Sequence, residues 1–360
     1  MKHRSMKLLK VHTASPFPLA DHKHEDEELF EHFNFIADVG QQLLRVDKFL
    51  INLMRQTSRN RIQKAAEAGA IRVNGVSVKS NYRVRPGDRV ALVLAYPPRV
   101  VELLPENLFL DIIYKDSELA VVNKPSGMVV HPSYGHYSGT LVNGLLHEFQ
   151  SLPEASDSER PGLVHRIDKD TTGILVVARN EFALAFLAKQ FADHTTEREY
   201  HAIAWGNIKQ ESGTIIGNVG RSLRDRKMMS VFPDGKYGKE ATTHFKVLER
   251  FGFATLVSCR LETGRTHQIR VHFQSIGHSL FGDQTYGGDK IPNLHGYPRF
   301  KSFMENNLRL CPRQALHARL LGFVHPTTLQ KMKFEIPIAN DIEQILDRFR
   351  VYTDSGNILD

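Results

Sequence analysis

Two short stretches of this 360-residue chain hold acids and guanidinium groups in places where they could do chemistry. In PGLVHRIDKDTTGILVVAR, residues 161–179, Asp168 follows an apolar entry and precedes the turn Thr171-Thr172-Gly173. Arg166 lies two residues before it. A carboxylate placed there can be held ionised by a nearby cation and presented at a cleft. The same residues also suit a structural aspartate that caps a turn, with Arg166 as its ion-pair partner. The second stretch is LETGRTHQIRVHF, residues 261–273. Gly264 permits a turn, Thr266 can cap the helix that follows, and Arg265 and Arg270 flank it. Arg270 is next to the apolar Ile269, so its charge needs a carboxylate partner. Each stretch thus offers half of a buried Asp–Arg pair, and spacing alone does not bring the halves together.

Other chemistries lose their usual support. The chain has no GxxxxGK[ST], no GxGxxG and no HExxH. Gly277–Gly282 resembles a nucleophile elbow with its second glycine one place late, and reads as a turn. The 18 histidines do not cluster with Cys or acids at zinc-ligand spacings. His22 and His24 sit in a polar run and read as solvated. No cofactor and no metal are expected.

The elements that must position these groups follow from periodicity. Ile174–Ala178 is a continuous apolar run, a buried strand. Glu181–Ala192 places Leu184, Leu187, Ala188 and Phe191 on one helical face. Leu108–Tyr114, Leu119–Asn123, Arg198–Trp205, Ala241–Glu249 and Phe253–Leu261 read as strands. Gln268–Ser275 reads as a short helix buried through Ile269, Phe273 and Ile276, stopped by Gly277. Residues 282–313 are rich in Gly, Pro and Asn and read as a long surface excursion. Strand signals return at Ala315–Val324 and Lys331–Ile336, and a last helix covers Asp341–Arg350. The pattern is α+β with antiparallel character rather than regular βαβ alternation.

Composition bounds the rest. Hydrophobic residues make up 41% and charged residues 24%, enough for a packed core. Cys259 and Cys311 cannot build a disulfide framework. The basic N-terminus is not followed by an apolar segment, and no apolar run approaches the roughly 18 residues of a membrane helix. A cytoplasmic protein with no membrane partner is expected. The net charge is +7. Its distribution is more telling: residues 1–40 carry −2, residues 41–95 carry +8 and residues 96–360 carry +1. A surplus so local is the electrostatic footprint of phosphate-backbone binding, although an ordinary charged surface is the alternative.

That basic segment reads as a small fold. Val46, Phe49, Leu50 and Leu53 share one helical face. Ser58 caps a second helix through Ala68 that carries Arg59, Arg61 and Lys64. Ile71–Val73 and Arg89–Leu94 read as strands, with turns at Asn74-Gly75 and Pro86-Gly87-Asp88. Pro97-Pro98 marks a linker. The expected organisation is an extension at 1–40, a binding module at 41–95, a linker at 96–107 and a catalytic domain at 108–350.

The stretch RVDKFL followed by SRNRIQKAAEAGAIRVNGVSVKSNYRVRPGDRV resembles the S4-like, or alpha-L, RNA-binding module. The remainder resembles the RluA/RluD family of pseudouridine synthases over about residues 105–340. The resemblance is carried by VVNKPSGMVVHP (121–132), GLVHRIDKDTTGILVVAR (162–179), REYHAIAWG (198–206), LETGRTHQIRVHF (261–273), GDQTYGG (282–288) and RQALHARLLGFVHP (313–326). Ile167 and Thr172 stand where the family commonly has Leu and Ser. The resemblance implies an α+β fold with a mixed, largely antiparallel sheet, and isomerisation of uridine to pseudouridine in RNA.

By the same resemblance Asp168 is the catalytic carboxylate, as nucleophile or as base, and Arg270 pairs with it. Tyr200 stacks on the target base; a strand-core aromatic is its alternative reading. Arg166 fills the gap left by a flipped uridine, His165 supports, and Arg265 contacts phosphate or braces its loop. Lys124-Pro125 and Gly282-Asp283 shape the cleft. Arg221, Arg224, Arg226 and Lys227 form a basic loop that grips RNA or is plain surface. The implied partner is a large-subunit (23S) rRNA stem-loop, free or in an assembling subunit, with the enzyme a monomer. The alternatives are another rRNA site, tRNA, or a non-catalytic RNA-binding assembly factor.

Overall fold

The computed structural model describes residues 9–12, 30–38, 43–54, 57–94, 100–133, 136–153, 160–223, 225, 228–292 and 298–355. The chain divides into two units, Met1–Leu104 with Pro132–Ser138, and Pro105–His131 with Gly139–Asp360. The acidic run 21–28, its two histidines and Pro97-Pro98 lie outside the described residues.

The first unit begins with β1 (Leu9–His12), β2 (Phe30–Ile36) and β3 (Leu44–Arg45). Helices α1 (Val46–Leu53) and α2 (Arg59–Glu67) follow. Then come β4 (Ile71–Val73), β5 (Val76–Ser77), β6 (Arg83–Val84), β7 (Arg89–Leu94) and β8 (Val100–Leu103). Ser58 caps α2 by accepting the Arg61 amide, as its residue type predicts. Val46, Phe49 and Leu50 are buried, and Met54 rather than Leu53 completes that face. Two segments read as an extension and a linker carry strands instead. Strand β2 lies antiparallel on β7, in a sheet ordered β2-β7-β4-β5, and Phe33 and Phe35 pack on the core of the unit. Strand β8 pairs with β1. Tertiary pairing overrides the polar composition around these strands.

Asp47 is fully buried beside the basic helix face. Its carboxylate accepts from Arg45 at 3.1 and 3.0 Å, Arg59 at 3.0 Å and Gln63 at 3.0 Å. Burial alone would raise its pKa; the hydrogen bonds from Arg45, Arg59 and Gln63 outweigh burial and hold it at about 2. Between the ordinary value of 3.8 and about 2 the unfolded chain therefore binds the extra proton. The stabilisation is complete above pH 3.8 and is lost as pH falls through about 2. Asp47→Asn should flatten the acid limb of this unit's unfolding and cost about 1–3 kcal/mol at neutral pH. Urea titrations of the full chain across acidic pH check this; an unchanged acid limb contradicts it.

The second unit opens with β9 (Asp111–Lys115), β10 (Leu119–Lys124), α3 (Leu141–Phe149), β11 (Thr172–Ala178) and α4 (Glu181–Ala192). Next are β12 (Glu197–Trp205), β13 (Ser212–Ile216), β14 (Asn218–Arg221), β15 (Met229–Phe232), β16 (Thr242–Arg250) and β17 (Ala254–Leu261). It closes with α5 (Gln268–Ser275), α6 (Pro298–Leu310), β18 (Leu316–Val324), β19 (Lys331–Glu335) and α7 (Asn340–Asp354). Among the described residues nine strands form one sheet, ordered β13-β16-β17-β12-β18-β11-β10-β9, with β19 on β18. Its pairs are antiparallel except β11 on β18, so the sheet is mixed. Helix α4 lays Ala183, Leu184 and Leu187 on Leu119, Val121, Ile174 and Val176. A second cluster joins Phe251, Phe253, Phe281, Phe300, Met304 and Phe349.

The segment 282–313 is not all surface. Within it, α6 buries Phe300 and Met304 in that second cluster. Strand β9 starts at Asp111 rather than Leu108, with Phe109 exposed. Ile276 is exposed, so α5 is buried through Ile269, Val271 and Phe273.

Candidate active site

Asp168 owes its place to a loop tied down on several sides. Its carbonyl accepts the Thr171 amide at 3.1 Å. Lys124, fully buried at the end of β10, donates to the Lys169 carbonyl at 2.8 Å. Burial pushes the Lys124 pKa down to about 7, against the pull of Asp170. Arg313 donates to the Asp170 carbonyl at 3.0 Å and Gln314 to the Thr171 hydroxyl at 3.2 Å. Gly173 is required where β11 meets β18: a Cβ there would sit 2.2 Å from the Ala318 carbonyl oxygen. So many bonds to one loop leave its carboxylate little freedom, which is how a reacting group is pre-organised.

The two halves read from sequence do meet. Arg270, in the first turn of α5, donates from Nη1 to Asp168 Oδ2 at 3.1 Å, across 102 residues of chain. Its other edge is held more firmly. Nε and Nη2 donate to the two oxygens of Asp283, at 2.7 and 2.9 Å. Asp283 is fully buried and also accepts the amides of Thr285 and Tyr286. Burial opposes the charge on Arg270, but Asp283 and then Asp168 outweigh it and raise its pKa above the ordinary value. The guanidinium is thus a fixed cation aimed at Asp168. Asp283 does more than shape the cleft, and its location in GDQTYGG was the available signal.

A cavity of about 500 Å³ opens over this pair. Its lining includes His165, Arg166, Asp168, Arg198, Tyr200, Arg265, His267 and Arg270. Tyr200 is buried to 8% exposure on β12. The β12–β18 register shifts between Glu199 and Tyr200, and such irregularities re-aim side chains. Burial raises its pKa, Arg198 opposes this and Asp168 adds to it. Arg166 is exposed at the cavity. Arg265 donates to the Glu240 carbonyl at 3.0 Å, which braces its loop. Burial, then Arg198, push the His165 pKa down to about 3. His165 accepts the Val176 amide at 3.0 Å and stacks on Phe191, so it is a neutral support.

Thr266 does not cap α5. His267 occupies the N-cap in the left-handed region, and the Gln268 side chain accepts the Arg265 amide at 2.9 Å in its place. His267 and Tyr286 were not singled out in the sequence, although both lie in the quoted stretches. In the first unit Arg59, Arg61 and Lys64 all sit on α2. Arg59 is half exposed and bridges Asp47, so part of its charge is engaged internally. Arg224, Arg226 and Lys227 lie outside the described residues.

The chain thus joins a helix–hairpin module to a mixed-sheet domain that carries a carboxylate–arginine centre in a cavity. Two family models match: S4 domain over residues 44–90, and RNA pseudouridylate synthase over residues 118–275. An uncharacterized RNA pseudouridine synthase of Chlorobaculum parvum is 45% identical over 313 residues, 86% of this chain and 95% of that one. A Bacillus subtilis protein, the uncharacterized RNA pseudouridine synthase YlyB, is 44% identical over 314 residues, 87% of this chain and 97% of its own. Ribosomal large subunit pseudouridine synthase D of Zymomonas mobilis is 40% identical over 302 residues, covering 83% and 92%. The chain belongs to the RNA pseudouridine synthase family. It is an isomerase acting on RNA, with an S4 domain ahead of its synthase domain.

Proposed function

We propose that Asp168 is the catalytic carboxylate and that the substrate is a uridine in large-subunit (23S) rRNA. The observation that carries the first part is the meeting of Asp168 and Arg270 inside one cavity with Tyr200. Isomerisation breaks the bond from ribose to the base nitrogen, turns the base and rejoins it through carbon. Asp168 serves either by attacking or by removing a ribose proton, and Arg270 holds its carboxylate for either step. Tyr200 offers a ring face on which the base stacks as it turns. Arg166, exposed at the cavity, fills the space a flipped uridine leaves, which offsets a flipping cost of about a few kcal/mol. Arg265 and the α2 cations Arg59, Arg61 and Lys64 serve phosphate contacts, which position rather than specify. The second part is supported by the name of the Zymomonas mobilis relative.

The test is pseudouridine mapping on unmodified rRNA and on unmodified tRNA, with wild type and Asp168→Ala in parallel. Signals at discrete large-subunit uridines from wild type alone are expected. Signals only in tRNA would overturn the proposed target and keep the chemistry. Equal signals from both proteins would overturn the role of Asp168.

A further inference from the structure

His267 sits between Asp168 and Tyr286 in a left-handed backbone conformation that few non-glycine residues adopt. Its φ is +56°, in the left-handed region that favours Gly or Asn. A non-glycine residue held there at a reacting centre points to a use for its side chain. That use is not capping, because no side-chain cap is made at this helix start and Gln268 takes the nearby amide.

The ring is oriented from behind. Its Nδ1 lies 2.7 Å from the Tyr286 hydroxyl. That hydroxyl already accepts the Met229 amide, at 3.0 Å from the first residue of β15. With one acceptor position so engaged, the hydroxyl is left its own proton to donate to Nδ1. In that arrangement Nδ1 accepts, and a neutral ring carries its proton on Nε2. Nε2 is the atom that faces Asp168, 3.9 Å from Oδ2. The same Oδ2 receives Arg270 at 3.1 Å. Burial lowers the His267 pKa, which favours the neutral ring this arrangement needs.

We propose that His267 is a positioning residue for the isomerisation: Tyr286 fixes its Nε2–H tautomer, and that N–H joins Arg270 on Asp168 Oδ2 when RNA closes the cavity. Two donors converging on one oxygen leave the other to face the ribose. The inference rests on the reading of Asp168 as the catalytic carboxylate.

The experiment uses the full-length enzyme and an rRNA transcript that the wild type modifies. His267→Asn and His267→Gly both tolerate the left-handed backbone and lack the ring. Both should lower kcat about 10²-fold, with KM and transcript affinity unchanged. Tyr286→Phe should lower kcat by less, because the ring of His267 remains. ¹⁵N NMR of histidine-labelled wild type, with the His267 signal assigned by its loss in His267→Asn, should show the proton on Nε2. In Tyr286→Phe it should spread over both nitrogens. A proton on Nδ1 in wild type, or kcat within twofold of wild type in both His267 variants, would overturn the proposal. Either His267 variant serves for the assignment, so the NMR arm decides even if one of them misfolds. An Asp168→Ala control separates the two claims. If that variant is inactive while the His267 variants are fully active, only the positioning role fails. If it stays active, both fail.

Discussion

Asp168→Ala should abolish turnover, by about 10⁴-fold or more in single-turnover rate, while RNA binding stays near wild type. The asymmetry follows from how the site is held. Asp168 is the outer partner of Arg270, 17% exposed, whereas Asp283 holds the same guanidinium from within through two bonds. Removing Asp168 therefore leaves Arg270 paired, and the fold has no orphaned buried charge to accommodate. The loop keeps its shape as well, because its ties to Lys124, Arg313 and Gln314 involve Lys169, Asp170 and Thr171. Asp168→Asn should behave alike, since it keeps the volume and loses the charge. Single-turnover assays beside filter binding would check this. A rate within tenfold of wild type would show that the carboxylate is structural.

The second large effect should come from Asp283, and it should be of the opposite kind. Asp283 is fully buried, and its loss leaves a guanidinium of 6% exposure with Asp168 as its one acid partner among the described residues. Breaking such a pair from one side costs about 3–5 kcal/mol, a fall in melting temperature on the order of 10 °C for a domain of this size. Asp283→Ala should also lose activity, because Arg270 is no longer aimed. Arg270→Lys separates stability from aim. A lysine keeps the charge but cannot place separate donors on Asp283 and Asp168 from one rigid fork. It should unfold only a few degrees below wild type yet react about 10²-fold more slowly. Differential scanning calorimetry with kinetics on both variants tests the division. A melting temperature of Asp283→Ala equal to wild type would mean that the buried pair contributes nothing.

Local order was legible in the residues themselves. Helix α4 runs over Glu181–Ala192 and α5 over Gln268–Ser275, as their apolar spacing predicts. Ser58 caps α2, and the apolar run after Thr171 is a strand buried at every position. Each of these depends on neighbours within a turn or two, where periodicity and capping chemistry act. The α+β class was legible in the order of strand and helix signals, and the resemblance of the long motifs supplied the family and the proposed roles of Asp168, Arg270 and Tyr200. The need of Arg270 for an acid was legible too, from its place beside Ile269.

Which acids answer that need was decided by the tertiary structure. Arg270 reaches Asp168 only because the sheet order β17-β12-β18-β11 brings two distant stretches to one cavity. Asp283 and the Tyr286–His267 link arrive there from the same folding-back of chain. Strands β2 and β8 were hidden for a related reason: a pairing partner, rather than their own composition, makes them strands. Helix α6 was hidden because its Gly- and Pro-rich surroundings mask two buried anchors, Phe300 and Met304. Local spacing encodes elements; which side chains share a dielectric, a proton or a charge depends on the sheet order that gathers them.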